Sequence, residues 1–152
     1  MTEARLRELG LELPTAPKAM GTYSPAVLHG DLLYLSGHGP LRADGTYVQG
    51  RLGADLDLAA GREAARLTAL AMLATIRAHL GSLDRVVRIV KVLGLVQSAP
   101  DFGEHPQVIN GFSDLMVQVF GDRALAARSA FGTTALPVGI AVEIEAIVQV
   151  SE

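Results

Sequence analysis

The sequence predicts an α+β fold in which two helices cover one face of a mixed β-sheet. Three observations predict this class. Apolar and polar residues alternate through residues 140–150 with the period of a half-buried strand. An apolar stripe of helical period runs through residues 58–80, and residues 86–96 form a β-branched run typical of a strand. A chain of 152 residues corresponds to a single domain, with the order β-β-α-β-α-β-β.

The N-terminal half of the chain contains a short helix, two strands and the long helix. The short helix is predicted within residues 2–9 and ends at Gly10. Two strands with a turn between them are predicted within residues 23–36. Asp57 is suited to cap the long helix, and Gly81 is suited to end it.

The C-terminal half contains the second helix and the last two strands. Pro106 fits the first turn of this helix, and Gly121 ends it. Residues 136–139, Leu-Pro-Val-Gly, are typical turn residues, so the last two strands are predicted to form a β-hairpin. If Arg128 and Glu143 are equally distant from the centre of that turn, a hairpin places them opposite one another on one face of the sheet.

Two interpretations of this pair of charges are open. The first is a cross-strand salt bridge on a solvated face, which contributes about 0.2–1 kcal/mol. The second is a small-molecule site, in which the Arg128 guanidinium binds a substrate carboxylate and the Glu143 carboxylate handles a proton or a water.

The composition excludes several classes of function. A net charge of −3, a pI of about 5.8 and an aromatic content of only 5% predict no binding to nucleic acid. No apolar run is long enough to span a membrane, and the first residues lack the apolar core of a signal peptide, so we expect a cytoplasmic protein. The absence of cysteine excludes disulfides and thiolate chemistry. A hydrophobic content of 49% then predicts a buried interface between subunits.

Other candidate sites have weaker support. Residues 37–39, Gly-His-Gly, lack the third glycine and the helix of a dinucleotide fingerprint. The acidic residues Asp101 and Glu104 lie near His105, but the sequence there is more typical of a helix start than of a metal site. No serine lies in a G-x-S-x-G context. We therefore expect no metal ion and no cofactor.

Several segments resemble one known family. Arg128-Ser, followed by Leu-Pro at 136–137 and Val-Glu-Ile-Glu-Ala-Ile at 142–147, resembles the C-terminal signature of the reactive intermediate deaminase family, also called RidA or YjgF-like. Residues 21–25 and 35–40 resemble the N-terminal half of the same pattern. The resemblance covers nearly the whole chain, 1–152 as one domain, with residues 1–17 as an N-terminal extension.

The resemblance implies a homotrimer with three clefts, each lined by two subunits. It also implies hydrolysis of reactive 2-imino or 2-enamino acids to 2-keto acids and ammonia, without a cofactor. Arg128 would bind the substrate carboxylate, and Glu143 would activate a water. The implied substrate-binding residues are Tyr23, Ser36, Gly37, Asn110 and Ala130, with Gly37 and Ala130 acting through main-chain N–H groups.

This chain also departs from the family pattern. Ala130 stands where many members have cysteine, and His38 stands where glutamine is common. These differences leave the natural substrate open. Two other functions remain as alternatives: a non-catalytic trimer that binds a small carboxylate-bearing metabolite, and a ribonuclease, against which the acidic pI argues.

Overall fold

A computed structural model describes residues 1–152 and shows the predicted order of strands and helices after a short N-terminal helix. The helices are α1 (Thr2–Glu8), α2 (Leu58–Leu80) and α3 (His105–Phe120), and the strands are β1 (Ala26–His29), β2 (Leu32–His38), β3 (Val86–Gln97), β4 (Ala127–Thr133) and β5 (Val142–Val150). The Asp57 side chain caps α2 by accepting a hydrogen bond from the Ala60 amide, and Gly81 ends α2 in a left-handed conformation. Both helix-end predictions are confirmed.

The five strands form one mixed sheet in the order β1-β2-β5-β3-β4. β3 and β4 are parallel, and the other neighbours are antiparallel. The predicted C-terminal hairpin is therefore wrong, because β3 lies between β4 and β5. The physical reason is that α3 connects β3 to β4, and a helical crossover joins parallel strands. The turn at Pro137–Gly139 then leads the chain past the end of β3 to β5.

Helices α2 and α3 pack side by side on one face of this sheet, as predicted. They approach most closely at Gly111, where a Cβ atom would lie 2.0 Å from the main-chain oxygen of Arg62. Gly94 of β3 similarly leaves room for the side chain of Ile109. The N-terminal segment belongs to the same core, because Leu6 of α1 is buried in it and Leu11 packs against it.

The opposite face of the sheet has no covering helix. Exposed apolar side chains on this face include Val27, Tyr34 and Phe131, and they line a groove together with Leu93 and Ile147. An apolar open face is what the predicted layer arrangement implies, and it is the kind of surface that subunit interfaces bury. None of the helices has both the length and the apolar character needed to cross a membrane.

Candidate functional site

The residues expected to form one site fall into two groups in a single chain. The first group, here called the Glu143 cavity, includes Tyr23, Ser36, Gly37 and Glu143, which line one cavity. The second group, here called the Arg128 cluster, consists of Arg128, Asn110, Ser113, the Pro106 carbonyl and Ala130, where β4 meets α3. Within one chain, the structure therefore brings the expected site residues together in two groups but keeps these two groups apart.

The register of the sheet shows why Arg128 and Glu143 do not meet within one chain. Arg128 pairs with Val92, whereas Glu143 pairs with Leu95, three residues further along β3. Two strand spacings, about 10 Å, separate β4 from β5. Arg128 also faces α3, to which it is hydrogen-bonded, whereas Glu143 lies on the open face of the sheet. The expectation that they are opposite neighbours on one face is wrong, and so is the cross-strand salt bridge.

The Glu143 cavity has a volume of about 420 Å³ and lies between β2, β5 and three connecting segments. One wall is the N-terminal segment of residues 17–25, and another is the turn before β5. Its lining residues include Lys18, Met20, Tyr23, Tyr47, Val138 and Glu143. A cavity of this size accommodates a small organic molecule.

A β-bulge in β2 brings the main chain close to the Glu143 carboxyl group. Leu35 pairs with Ala146 and His38 with Ile144, so β2 has one more residue than β5 in this interval. Gly37 is part of the bulge, and a Cβ atom there would lie 2.8 Å from Cδ of Glu143. Glycine at this position leaves room for the glutamate side chain, which any larger residue would displace.

The Glu143 carboxyl group is in an environment that disfavours its charge. Partial burial, the larger cause, and the carboxylate of Glu145 together raise the pKa of Glu143 above its ordinary value. No ion pair within 4.0 Å neutralises it. A carboxylate that is poorly solvated and unpaired is more basic than one in water, which suits it to accept a proton.

Tyr23 and Ser36 have complementary hydrogen-bonding roles at the cavity wall. The Tyr23 hydroxyl accepts a hydrogen bond from the Met20 amide at 3.1 Å, so its own hydrogen remains free to be donated to a ligand. The Ser36 hydroxyl donates to the Ser24 carbonyl at 2.6 Å, so its oxygen remains free as an acceptor.

His38 lies behind this wall and is a structural residue. Its ring is buried, with Nδ1 2.6 Å from the Ser36 carbonyl oxygen and Nε2 2.8 Å from the Thr75 hydroxyl. Because a carbonyl only accepts, Nδ1 carries the hydrogen and donates it, and the neutral ring accepts from Thr75 through Nε2. Burial lowers the pKa of His38, against a smaller opposing effect of the hydrogen bond to Ser36. The ring therefore fixes the Ser36 main chain without adding charge to the cavity.

In the Arg128 cluster, helix α3 holds the guanidinium in one orientation. Nη1 donates to Oδ1 of Asn110 at 2.9 Å and to Oγ of Ser113 at 3.1 Å, and Nη2 donates to the Pro106 carbonyl at 3.3 Å. A guanidinium has five N–H groups, so Nε–H and one Nη2–H remain free. Nε and Nη2 form one edge of the group, which is an edge to which a carboxylate can bind side-on.

The structure changes the expected role of Asn110 and adds residues that the sequence analysis missed. The Asn110 side-chain oxygen is already used by Arg128, so this residue orients the arginine. Ser113 was not predicted, although its position three residues after Asn110 on one helix face could have indicated it. Ala130 lies two residues after Arg128 on the same strand face and packs against the core. Lys18 and Val138 were also missed, because only the folded chain brings them to the cavity.

Taken together, the fold and these contacts define a class of protein. It is a small α+β protein whose sheet has one helix-covered face, which carries the Arg128 cluster, and one open face, which carries the Glu143 cavity. No group of three or more histidine, aspartate or glutamate side chains is close enough to bind a metal ion.

Comparison with known proteins identifies the family. Residues 3–146 match the family described as "YjgF/chorismate mutase-like, putative endoribonuclease". The chain is 42% identical to Protein TCP17 of Trypanosoma cruzi over 149 residues, which cover 97% of this chain and 93% of TCP17. This chain therefore belongs to the YjgF/RidA-like family.

Two solved structures show how the fold compares within this family. One, a "putative endoribonuclease" from Shewanella oneidensis MR-1, superimposes with a TM-score of 0.94 at 30% identity, covering 99% of both chains. RidA from an Antarctic Psychrobacter superimposes with a TM-score of 0.63 at 28% identity, covering 90% of this chain and 94% of that one. The backbone thus follows the Shewanella protein more closely than it follows the protein named RidA.

Proposed function

We propose that this protein is a homotrimeric deaminase that hydrolyses reactive 2-imino and 2-enamino acids to 2-keto acids and ammonia. The main support is the state of Glu143, a carboxylate with a raised pKa and no ion-pair partner, in a cavity suited to a small molecule. A carboxylate of this kind is a suitable general base at neutral pH.

The reaction needs only acid–base chemistry and correct positioning. A protonated imine is electrophilic at C2, so water can add there while Glu143 removes a proton from it. The resulting carbinolamine takes that proton on nitrogen, and the C–N bond breaks with its electron pair leaving on ammonia. The hydroxyl group becomes the keto oxygen and gives its proton to Glu143, which passes it to the departing ammonia. The products are then the keto acid and ammonium, and the Glu143 carboxylate is regenerated. Tyr23 is placed to donate a hydrogen bond to the substrate, and Ser36 is placed to accept one.

Binding of the substrate carboxylate is assigned to Arg128. The two free N–H groups of its guanidinium can donate to a carboxylate, and Asn110 and Ser113 hold the guanidinium in place before binding. The main-chain N–H groups of Gly37 and Ala130 are the remaining proposed donors. Arg128 on its own would bind a carboxylate without catalysis, so a non-catalytic binding protein is the second candidate.

The separation of the two groups of site residues within one chain supports an assembly of several chains, as the proposed trimer requires. Each chain has the Glu143 cavity and the Arg128 cluster on different faces of its sheet, so one chain cannot present both to one substrate. In a closed ring, the Arg128 cluster of one subunit can lie against the Glu143 cavity of the next. Burial of the open apolar face would stabilise such a ring.

The function is tested by adding the protein to a dehydratase reaction that releases 2-aminoacrylate and following the keto acid. We expect wild type to accelerate its formation, and Glu143→Gln to lower the rate by about 100-fold because the base is removed. Glu145→Gln is the matched control, since Glu145 lies two residues further along the same strand face. We expect it to stay within about threefold of wild type, because it touches no proposed reacting group.

Binding measurements separate the two candidates. Glu143→Gln should still bind pyruvate, whereas Arg128→Ala should not, because the ligand's charge is then left unpaired. Arg128→Lys should restore binding only in part, since an ammonium lacks the planar fork. If wild type binds pyruvate but does not accelerate imine hydrolysis, the protein is a binder and the deaminase proposal is wrong.

A further inference from the structure

We propose that Lys18 binds a second anionic group of the substrate, so that the preferred substrates are dicarboxylic imino acids. This inference rests on the proposed function and specifies its substrate class. The carboxylate next to the imine would be bound by Arg128 of one subunit. The side-chain carboxylate would be bound by Lys18 in the Glu143 cavity of the next.

Lys18 is the one permanently cationic side chain that lines the Glu143 cavity. The other basic residue there, His38, is buried and has both ring nitrogens engaged with Ser36 and Thr75. None of the four ion pairs of the chain includes Lys18, and its ammonium makes no hydrogen bond to protein. A cation beside a cavity, with no carboxylate of its own, is available to an anionic ligand.

The main chain around Lys18 is held in position on both sides. Upstream, Leu11 and Leu13 pack against the core, and Pro14 and Pro17 restrict the backbone between them and Lys18. Downstream, the Ser24 and Pro25 carbonyls accept hydrogen bonds from the hydroxyl and the main-chain N–H of Ser36 in β2. The segment that places Lys18 at the cavity is therefore anchored to the domain on either side.

The dimensions of the cavity also favour a substrate with a longer side chain. A three-carbon imino acid fills only a small part of about 420 Å³. Met20, Tyr47 and Val138 also line the cavity, and they can contact the methylene groups of a longer chain. An ammonium at the edge of such a space binds a terminal carboxylate through a charge-assisted hydrogen bond.

The test compares two imines of equal size that differ in charge. A glutamate oxidase generates 2-iminoglutarate, and an amino acid oxidase acting on glutamine generates the corresponding amide. With a limiting scavenger such as semicarbazide, the loss of each imine gives kcat/KM. We expect wild type to favour the acid over the amide by about tenfold or more, the usual effect of one charge-assisted hydrogen bond. Lys18→Met should reduce that preference by about tenfold, and Lys18→Arg should largely retain it.

The outcomes separate this inference from the proposed function. If wild type hydrolyses both imines and Lys18→Met leaves the acid-to-amide ratio unchanged, the role of Lys18 is wrong and the deaminase stands. If neither imine is hydrolysed, the deaminase proposal is wrong. In that case, calorimetric measurement of the binding of 2-oxoglutarate and of its amide tests the role of Lys18 independently of catalysis. A preference for the diacid that disappears in Lys18→Met supports the inference, and equal binding of both compounds overturns it.

Discussion

Gly37 determines the position of the Glu143 carboxyl group, although it contributes no side chain. The bulge in β2 turns the Gly37 backbone toward Glu143, and the glutamate Cγ and Cδ atoms fill the space where a Cβ would lie. Bulges beside functional sites commonly redirect a side chain in this way. The absence of a single methyl group at residue 37 therefore leaves room for the Glu143 side chain.

Gly37→Ala is expected to lower kcat/KM for imine hydrolysis by about 10–100-fold. The new methyl group would lie 2.8 Å from Cδ of Glu143, so the carboxylate must move. Displacement of a proposed catalytic group by about 1 Å lowers the reaction rate strongly. The glutamate side chain is flexible, so thermal unfolding should change little. Steady-state kinetics and calorimetric melting measure the two effects. An Ala variant with wild-type kcat/KM would show that the position of Glu143 is unimportant.

The raised pKa of Glu143 leads to a prediction about pH. As a base, Glu143 must be unprotonated, so kcat/KM falls as the pH falls through its pKa. Because burial and Glu145 raise that pKa, the acid limb should lie above the value of about 4.3 that is typical of an exposed glutamate. Glu145→Gln removes one of the two causes and should move the limb toward lower pH. A limb at the ordinary carboxyl value would contradict the assignment of Glu143 as a desolvated base.

At the scale of elements, the close approach of α2 and α3 sets the spacing between the two helices. The two helices meet at Gly111, next to Asn110, which orients Arg128. The close approach of α3 therefore stabilises the core and positions the guanidinium. A helix that lay further from α2 would shift Asn110 and Ser113 relative to β4.

Gly111→Ala is expected to destabilise the protein by about 1–3 kcal/mol, the usual cost of overpacking. Helix propensity alone would favour alanine by about 1 kcal/mol, but its Cβ would lie 2.0 Å from the Arg62 carbonyl oxygen. Gly103→Ala is the control, since a Cβ there contacts nothing within 4 Å, and it should change stability by less than about 0.5 kcal/mol. Urea unfolding measures both variants. Stabilisation by Gly111→Ala would show that the helices are further apart.

At the scale of the whole molecule, the proposed site depends on assembly. One chain has Arg128, held by α3, and Glu143, on the open sheet face, on different faces of its sheet, so the proposed site needs a second chain. The trimer is therefore part of the proposed mechanism. A stable monomer at micromolar concentration, measured by sedimentation, would contradict both the trimer and the shared site.

Mixing two inactive variants tests the shared site directly. Arg128→Ala and Glu143→Gln subunits, co-expressed in equal amounts, should form mixed trimers with some intact sites. Random assembly pairs an intact Arg128 with an intact Glu143 of the neighbour at about one quarter of the interfaces, so we expect about a quarter of wild-type activity. Each variant assembled alone is the control and should remain inactive. A mixture without activity would mean that both residues act within one chain.

Ribonuclease activity is expected to be weak or absent, although the family description and the Shewanella relative are named for it. A protein with a net charge of −3 has little attraction for a phosphate backbone, and its sequence contains no basic run. Incubation of highly purified protein with labelled RNA at two salt concentrations measures this. Strong, salt-sensitive cleavage that is lost in Arg128→Ala would contradict the prediction.

The sequence by itself determined the elements and the chemistry available to them. Periodicity, apolar runs and turn residues placed the helices and strands along the chain, and Asp57 and Gly81 begin and end α2 as predicted, because caps and amphipathic faces depend on residues a few positions apart. The motifs around Arg128 and Glu143 also identified the family before any contact was known.

Tertiary structure alone decided which strands are neighbours and which residues share a cavity. The Leu-Pro-Val-Gly turn is equally consistent with a hairpin, but α3 makes β4 parallel to β3 and separates Arg128 from Glu143. Lys18 reaches the Glu143 cavity only because the N-terminal segment packs across the domain. Strand order and cavity walls depend on contacts between distant residues, and these are set by the packing of whole elements rather than by any local pattern.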